Sequence, residues 1–220
     1  MDDLHAAEAQ AAPKLAWHFV GDKLRDGRQV PEDGEWLEYR GPLVLCESGL
    51  HWSREPFDAL TYAPGPTLCL VEVGGEIVEG DDKGISTHRK IIARMDATEL
   101  LRYFARMQAL SVIHLNEGLC NSEVVCDYLM TGDESLRAAA WDAARAAARD
   151  AARDAARAAA RAAAWDAARA AAWAAARDAA WDAARQHFND LVYESFEAFV
   201  TAQGAPKLLG AAARRKAKTV

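Results

Sequence analysis

The chain has 220 residues, a hydrophobic share of 51% and a formal charge of −7. Alanine inflates the apolar share: from Arg137 to Arg185 the chain uses only four residue types, 30 Ala, 9 Arg, 6 Asp and 4 Trp. That stretch cannot build a mixed β core, which excludes one globular fold over the whole length. No run of about 18 apolar residues is free of charge, which excludes an integral membrane helix. With 14 Gly and 4 Cys the chain is neither collagen-like nor disulfide-stapled.

The charge is uneven. The Ala-rich stretch holds 9 basic and 6 acidic residues, the remainder 17 and 27. An acidic body with a mildly basic arm does not point to nucleic acid by bulk electrostatics. The tail Arg214-Arg-Lys-Ala-Lys218 offers at most a weak phosphate contact. The opening MDDLHAAEAQ lacks an apolar core and does not read as a secretory signal. Cys46, Cys69, Cys120 and Cys126 therefore read as reduced thiols in a cytoplasm.

In chain order, residues 1–13 are an N-terminal tail or short helix that stops at Pro13. Leu15–Val20 predicts a strand, closed by Gly21-Asp22. Trp36–Tyr39 and Leu43–Cys46 predict short strands, and Gly49–Trp52 is expected to pair with the latter. Residues 54–63 suit a short helix. After the break Pro64-Gly-Pro66, Leu68–Val73 is the strongest strand signal, apolar at nearly every position and so expected to be central and covered on both faces. Gly74-Gly75 predicts a bulge, Glu76–Glu79 continues extended, and Ile85–Met95 follows the turn at 80–84. Asp96 with Glu99 resembles a capping box, opening a helix that carries Leu100, Leu101, Phe104 and Met107. A further helix is predicted over 121–130. The expectation is an α+β fold: a small mixed sheet with two or three helices over 14–132.

From Arg137 a large residue recurs at every fourth position through Arg185. Alanine has the highest helix propensity, and neither Gly nor Pro interrupts. The spacing predicts a long Ala-rich helix over 133–204, capped near Asp133 and ended at Gly204, with a basic tail over 205–220. Four residues advance about 400°, so the marked position drifts by about 40° per repeat. With Trp141 at zero, Trp165, Trp173 and Trp181 fall at about 240°, 320° and 40°, while Arg149 to Arg161 fall on the opposite half. Phe188, Leu191 and Phe199 extend the Trp side, whereas Tyr193, Phe196 and Val200 widen the stripe, as burial against the α+β domain would require. Asp142–Arg145, Asp150–Arg153 and three similar i,i+3 pairs stabilise the helix by about 0.2–0.5 kcal/mol each. The Trp/Ala face is a candidate interaction face for a partner helix or a second copy of the chain.

No P-loop, dinucleotide-binding glycine pattern, His-Glu-x-x-His or Gly-x-Ser-x-Gly occurs. Cys46, His51, Cys120 and Cys126 combine three thiols and an imidazole, a donor set zinc accepts, but their Cys-x4-His and Cys-x5-Cys spacings are looser than paired Cys-x2-Cys. No metal and no cofactor is expected.

Two resemblances add to this reading. Leu45-Cys-Glu-Ser-Gly-Leu-His51, Ala59-Leu-Thr-Tyr62, Pro64-Gly-Pro66, Leu70-Val-Glu-Val73, Gly75-Glu-Ile77 and Asp82-Lys83 resemble an uncharacterised domain family of phages, prophages and high-GC bacteria, whose members run on into Thr-Gly-Asp-Glu-Ser-Leu-Arg and Ala/Arg/Asp/Trp arrays as residues 131–185 do. It implies a small α+β domain with a helical extension, in the cytoplasm of a bacterial host cell, and no particular activity. More distantly, Trp17-His18, Tyr39-Arg-Gly41, Gly49-Leu-His51 and Tyr62 are similar in order to motifs of ADP-ribosyltransferases and RNA 2′-phosphotransferases; the Ser-Thr-Ser motif is absent and no late glutamate is assignable. On that analogy His18, Arg40, His51 and Tyr62 are the candidate catalytic residues.

The leading expectation is a non-enzymatic interaction protein of phage or mobile-element origin, with a binding domain and an arm for self-association or for an unknown protein partner, and with no membrane role. The alternatives are a nucleotide-handling enzyme and a zinc-bound binding module.

Overall fold

The computed structural model describes residues 13–159 and 166–204, with side chains described outside 155–176. The tails 1–12 and 205–220, the join at 160–165, and the side chains of Trp165 and Trp173 lie outside the described residues. The chain is α+β and divides into two compact units, residues 1–96 with 193–220, and residues 97–192. Among the described residues no helix is long and apolar enough to cross a membrane.

The first unit is built on five strands: β1 (Lys14–Val20), β2 (Trp36–Glu38), β3 (Leu50–Trp52), β4 (Thr67–Glu79) and β5 (Gly84–Asp96), with helix α1 (Pro56–Thr61) between β3 and β4. Pairing runs β1–β4–β5–β2, and β3 also pairs with β5. Every ladder is antiparallel, where a mixed sheet was expected. A reciprocal backbone bridge between Trp17 and Ser53, 2.8 Å in both directions, ties the end of β3 back to β1. The pairings therefore close a circuit, β1–β4–β5–β3–β1.

The period-two alternation of strands sorts the side chains. Trp17 and Phe19 share one face with Leu68 and Leu70, their partners in register, and all four are fully buried. Ala16 and Val20 go to the other face and cluster with Trp52, Cys69, Val71, Val73 and Ile91. This two-sided burial explains why Leu68–Val73 is apolar almost without pause. Gly74-Gly75 does mark an irregularity, a register shift between Gly74 and Ile77, and Gly75 has φ +71°.

Two expectations fail here. Leu43–Cys46 is a turn instead of a strand, because the Ser48 hydroxyl accepts from the Val44 amide at 3.0 Å and donates to the Pro42 carbonyl at 2.6 Å. With that partner gone, β3 takes Ser86, Ile85 and Gly84 of β5 instead. Asp96 is not the helix cap either: it ends β5, and Ala97 holds the cap position of the next helix.

The second unit is helical: α2 (Thr98–Val112), α3 (Glu117–Cys120), α4 (Glu123–Thr131), α5 (Arg137–Ala159) and the front of α6 (Asp166–Ala202). Asn116 caps α3 by accepting from the Leu119 amide, and Gly132, at φ +71°, closes α4. Asp133 accepts from the Ser135 amide at 2.8 Å ahead of α5. The ion pair Asp150–Arg153 forms at 2.9 Å. Phe104 packs edge-on to Phe188 at 4.9 Å and to His187 at 5.8 Å.

Phe188 is thus fully buried by its own chain, and Phe199 packs on Phe196, so neither is part of an open interaction face. Leu191 is half-buried. Trp141 and Trp181 remain exposed. From Tyr193 onward α6 belongs to the first unit. There Phe196 meets Trp17 edge-on at 5.2 Å, Val200 is buried, and the Tyr193 hydroxyl donates to Glu55 at 2.9 Å. The widened stripe is used as its breadth implied. Gly204 at φ +78° follows the helix end.

Candidate functional site

On the Ala16–Val20 face of the sheet lies a cavity of about 900 Å³. Its walls come from β1, the β1–β2 loop, Leu37 and Tyr39, the turn before β3, β3 itself, and Ala59, Tyr62, Lys83 and Arg89. His18 reaches it because it alternates with Ala16 and Val20 and stands opposite Cys69. Arg89 of β5 stands opposite Val73, so the same alternation carries it to this face.

The turn that precedes β3 sets His51. Cys46 adopts φ +74° and Gly49 φ +100°, both in the left-handed region that favours glycine. A Cβ on Gly49 would stand 2.7 Å from Leu43 Cδ2 and 3.2 Å from Ile85 Cβ, so only glycine fits. The Gly49 carbonyl then accepts a hydrogen bond from the His51 ring. His51 Nε2 is buried and unpartnered, so that bond is made by Nδ1–H and Nε2 carries the lone pair.

Burial, followed by the nearby charges of Arg89 and His51, holds the pKa of His18 well below the ordinary histidine value. His18 keeps part of its surface at the cavity wall, yet its surroundings are dry enough for burial to dominate. His51 is also lowered, first by burial and then by Arg25 and Arg89. Both imidazoles are neutral at pH 7.

Arg89 is 5% exposed. Its Nη1 donates to the His51 carbonyl oxygen. Burial pushes its pKa down to about 10, still far above neutrality. No carboxylate among the described residues pairs with it.

The β1–β2 loop adds more positive charge. Gly27, at φ +85°, donates to the Leu24 carbonyl in a tight turn, and Arg28 and Asp26 pair at 2.7 Å. The lining cations are Lys23, Arg25, Arg28, Lys83 and Arg89, against two carboxylates, Asp26 and Glu47. Asp26 is already committed to Arg28, whose hydrogen bond lowers the pKa of that carboxyl. At the rim Lys83 donates to the Tyr62 hydroxyl at 3.0 Å and lies 4.1 Å above its ring, while that hydroxyl donates to Asp82. Phe19, Leu24, Leu37, Tyr39 and Leu50 supply apolar wall. A water-filled space with a cationic floor and apolar sides suits an anion that carries an apolar or aromatic body.

Of the four catalytic candidates, His18, His51 and Tyr62 line this one cavity and Arg40 does not. Arg40 is 84% exposed and ion-paired to Glu38 at 3.0 Å. Glu38 and Arg40 point the same way across an extended segment, and Tyr39 between them faces inward. The zinc candidates do not assemble. Cys46 and His51 belong to the first unit, Cys120 and Cys126 to the second, where Cys126 Sγ contacts the Cys120 carbonyl at 3.6 Å. Among the described residues no three His, Cys, Asp or Glu side chains are placed to hold a metal ion. Arg89 is the functional residue that the sequence reading missed. Its signal, an arginine in register with the buried Val73, needs the pairing to be known.

Residues 14–103 match a family model described as a domain of unknown function, DUF7666. The matched span contains every residue that lines the cavity. No curated protein and no solved structure matches the chain.

Proposed function

We propose that the protein is a ligand-binding protein whose α+β unit holds an anionic small molecule of nucleotide size, and whose helical arm serves association with a second copy or a protein partner. The observation that carries the first half is the imbalance of five cations to two carboxylates around one cavity in a chain of net charge −7. About 900 Å³ lies within the range of small-molecule sites, about 300–1,000 Å³. The second half is supported by the exposed indoles of Trp141 and Trp181. The resemblance to phage and prophage domains supports an origin in a mobile element.

Thermal unfolding with millimolar nucleotides, set beside the matching uncharged nucleosides, tests the binding. Nucleotides are expected to raise the midpoint by several degrees and nucleosides by less, because a ligand bound only to the folded state stabilises it by mass action. No shift with any anion overturns the reading.

The convergence of His18, His51 and Tyr62 favours a second reading, a nucleotide-handling enzyme of transferase type. Consumption of NAD that is lost in His51→Ala would support it. Unchanged NAD after prolonged incubation at high protein concentration removes it.

A further inference from the structure

The deepest part of the cavity has a charge arrangement that selects among anions. This inference rests on the anion-binding reading above and specifies its chemistry. Arg89 is a buried cation with one hydrogen bond, to a backbone carbonyl. Two imidazoles flank it, His18 from β1 and His51 from β3.

The charged groups around them are nearly all positive. His18 faces Arg89 and His51. His51 faces Arg25 of the β1–β2 loop, Lys83 of the β4–β5 turn and Arg89. Arg89 faces Arg28 and the thiol of Cys69. Helix α1 lends Ala59 to the wall, and its buried Asp58 is not among the lining residues. Of the two lining carboxylates Asp26 is tied to Arg28, and Glu47 is exposed on the turn.

A singly charged group set on Arg89 neutralises it and leaves the imidazoles as they are. A doubly charged group leaves one negative charge in a dry site, next to two nitrogen heterocycles. The field that keeps those rings unprotonated then changes sign, and the cheapest neutralisation is a proton on one of them. Phosphate monoesters are dianions of this kind near neutral pH. Diesters and pyrophosphate linkages carry one charge per phosphorus. The remaining volume, walled by Phe19, Leu37 and Tyr39, takes the organic part of the ester.

We infer that the cavity floor holds a phosphate monoester on Arg89 and that His18 or His51 takes up one proton as it docks.

Isothermal titration of the full chain with adenosine 5′-monophosphate tests this, at about pH 7.5 in buffers of different ionisation enthalpy. Uptake approaching one proton per ligand is expected, with affinity falling by up to about tenfold per pH unit above neutrality. One of His18→Asn and His51→Asn is expected to abolish the uptake, with the Gln variant of the same position as the second test should Asn unfold it. Uptake that persists in both variants puts the proton on the phosphate itself and overturns the inference. NAD, which carries only a pyrophosphate, is the comparison ligand. NAD bound as tightly as the monophosphate, or monophosphate bound without proton uptake, overturns the monoester assignment and leaves an anion-binding cavity standing. Failure of adenosine monophosphate, NAD and inorganic phosphate alike to bind overturns the cavity reading together with it.

Discussion

Arg89 Nη1 donates to the carbonyl oxygen of His51, linking two strands that pair with each other beneath the cavity. The bond satisfies one of five guanidinium donors, and the charge itself has no carboxylate partner among the described residues. An arginine placed this way lowers the stability of the empty protein, since a buried charge without a counterion loses hydration that nothing nearby restores. Arg89→Met is therefore expected to leave urea unfolding unchanged or to stabilise the ligand-free protein by about 1–2 kcal/mol, while abolishing the nucleotide-induced thermal shift. A loss of more than about 2 kcal/mol would make Arg89 a structural residue, held for its bond to His51.

The two histidines give stability a pH dependence of known sign. Both have folded-state pKa values below the unfolded one, His18 chiefly through burial. The unfolded chain therefore binds more protons, and stability rises with pH. The contribution is complete above about pH 6.5 and is lost as pH falls from there through the folded values, with a slope of up to about 1.4 kcal/mol per pH unit for each histidine. Urea midpoints between about pH 5 and 7, above the main carboxylate range, should show this slope in the wild type and a shallower one in His18→Gln. Identical slopes would mean that His18 does not titrate across unfolding.

Thiol chemistry separates the cysteines by burial. Cys69 is fully buried, and burial pushes its pKa up to about 12, so almost no thiolate exists at neutral pH. Cys46 and Cys120 are exposed. A disulfide reagent at about pH 8 is expected to label Cys46 and Cys120 within minutes and Cys69 only after denaturation, as peptide mapping would show. Saturating nucleotide should slow Cys46 alone, because it lines the cavity and Cys120 does not.

Much of the sheet was legible because β1 and β4 carry period-two or continuous apolar runs that mean little else. Leu68–Val73 reads as a two-sided strand, and Leu68, Cys69, Leu70 and Val71 are completely buried. Leu43–Cys46 has the same apolar texture over four residues, but the Ser48 hydroxyl satisfies the backbone locally and turns the chain. The cavity was half legible. His18, His51 and Tyr62 stand out as residue types, whereas Arg89 sits in Thr87-His-Arg-Lys90, where an arginine reads as solvated surface. Only the register with Val73 turns it inward. Arg40 misled for the converse reason, since alternation sends its neighbour Tyr39 inward. In the arm the helical spacing was unmistakable, but four-residue spacing alone does not say which large residues find a neighbour.

Gly84 faces Trp52 across the β3–β5 pair. A Cβ there would lie 2.3 Å from the indole Cζ2, inside any tolerable contact, and Trp52 is itself buried. Gly84→Ala must push the indole or separate β3 from β5, either of which moves His51. Destabilisation of at least about 1–3 kcal/mol is expected, with weaker nucleotide binding. Trp52→Phe in the same background should recover part of the stability by shortening the ring. A Gly84→Ala protein as stable as wild type would show that the strand pair yields freely.

The two ends of α6 differ in what their aromatic residues do. Phe196 is fully buried and edge-on to Trp17, so Phe196→Ala removes both apolar burial and a ring pair. About 3–5 kcal/mol is expected from unfolding curves, and a double-mutant cycle with Trp17→Phe should give a coupling of about 0.5–1.5 kcal/mol. Trp141, on α5, is 65% exposed, and Trp141→Ala should change the stability of an isolated chain by no more than about 0.5 kcal/mol. If the arm mediates association, however, Trp141→Ala combined with Trp181→Ala will lower the mass measured by light scattering at micromolar concentration and leave the far-ultraviolet helix signal intact. An unchanged mass in that double variant removes the role proposed for the arm without touching the cavity, because Trp141 and Trp181 do not line it.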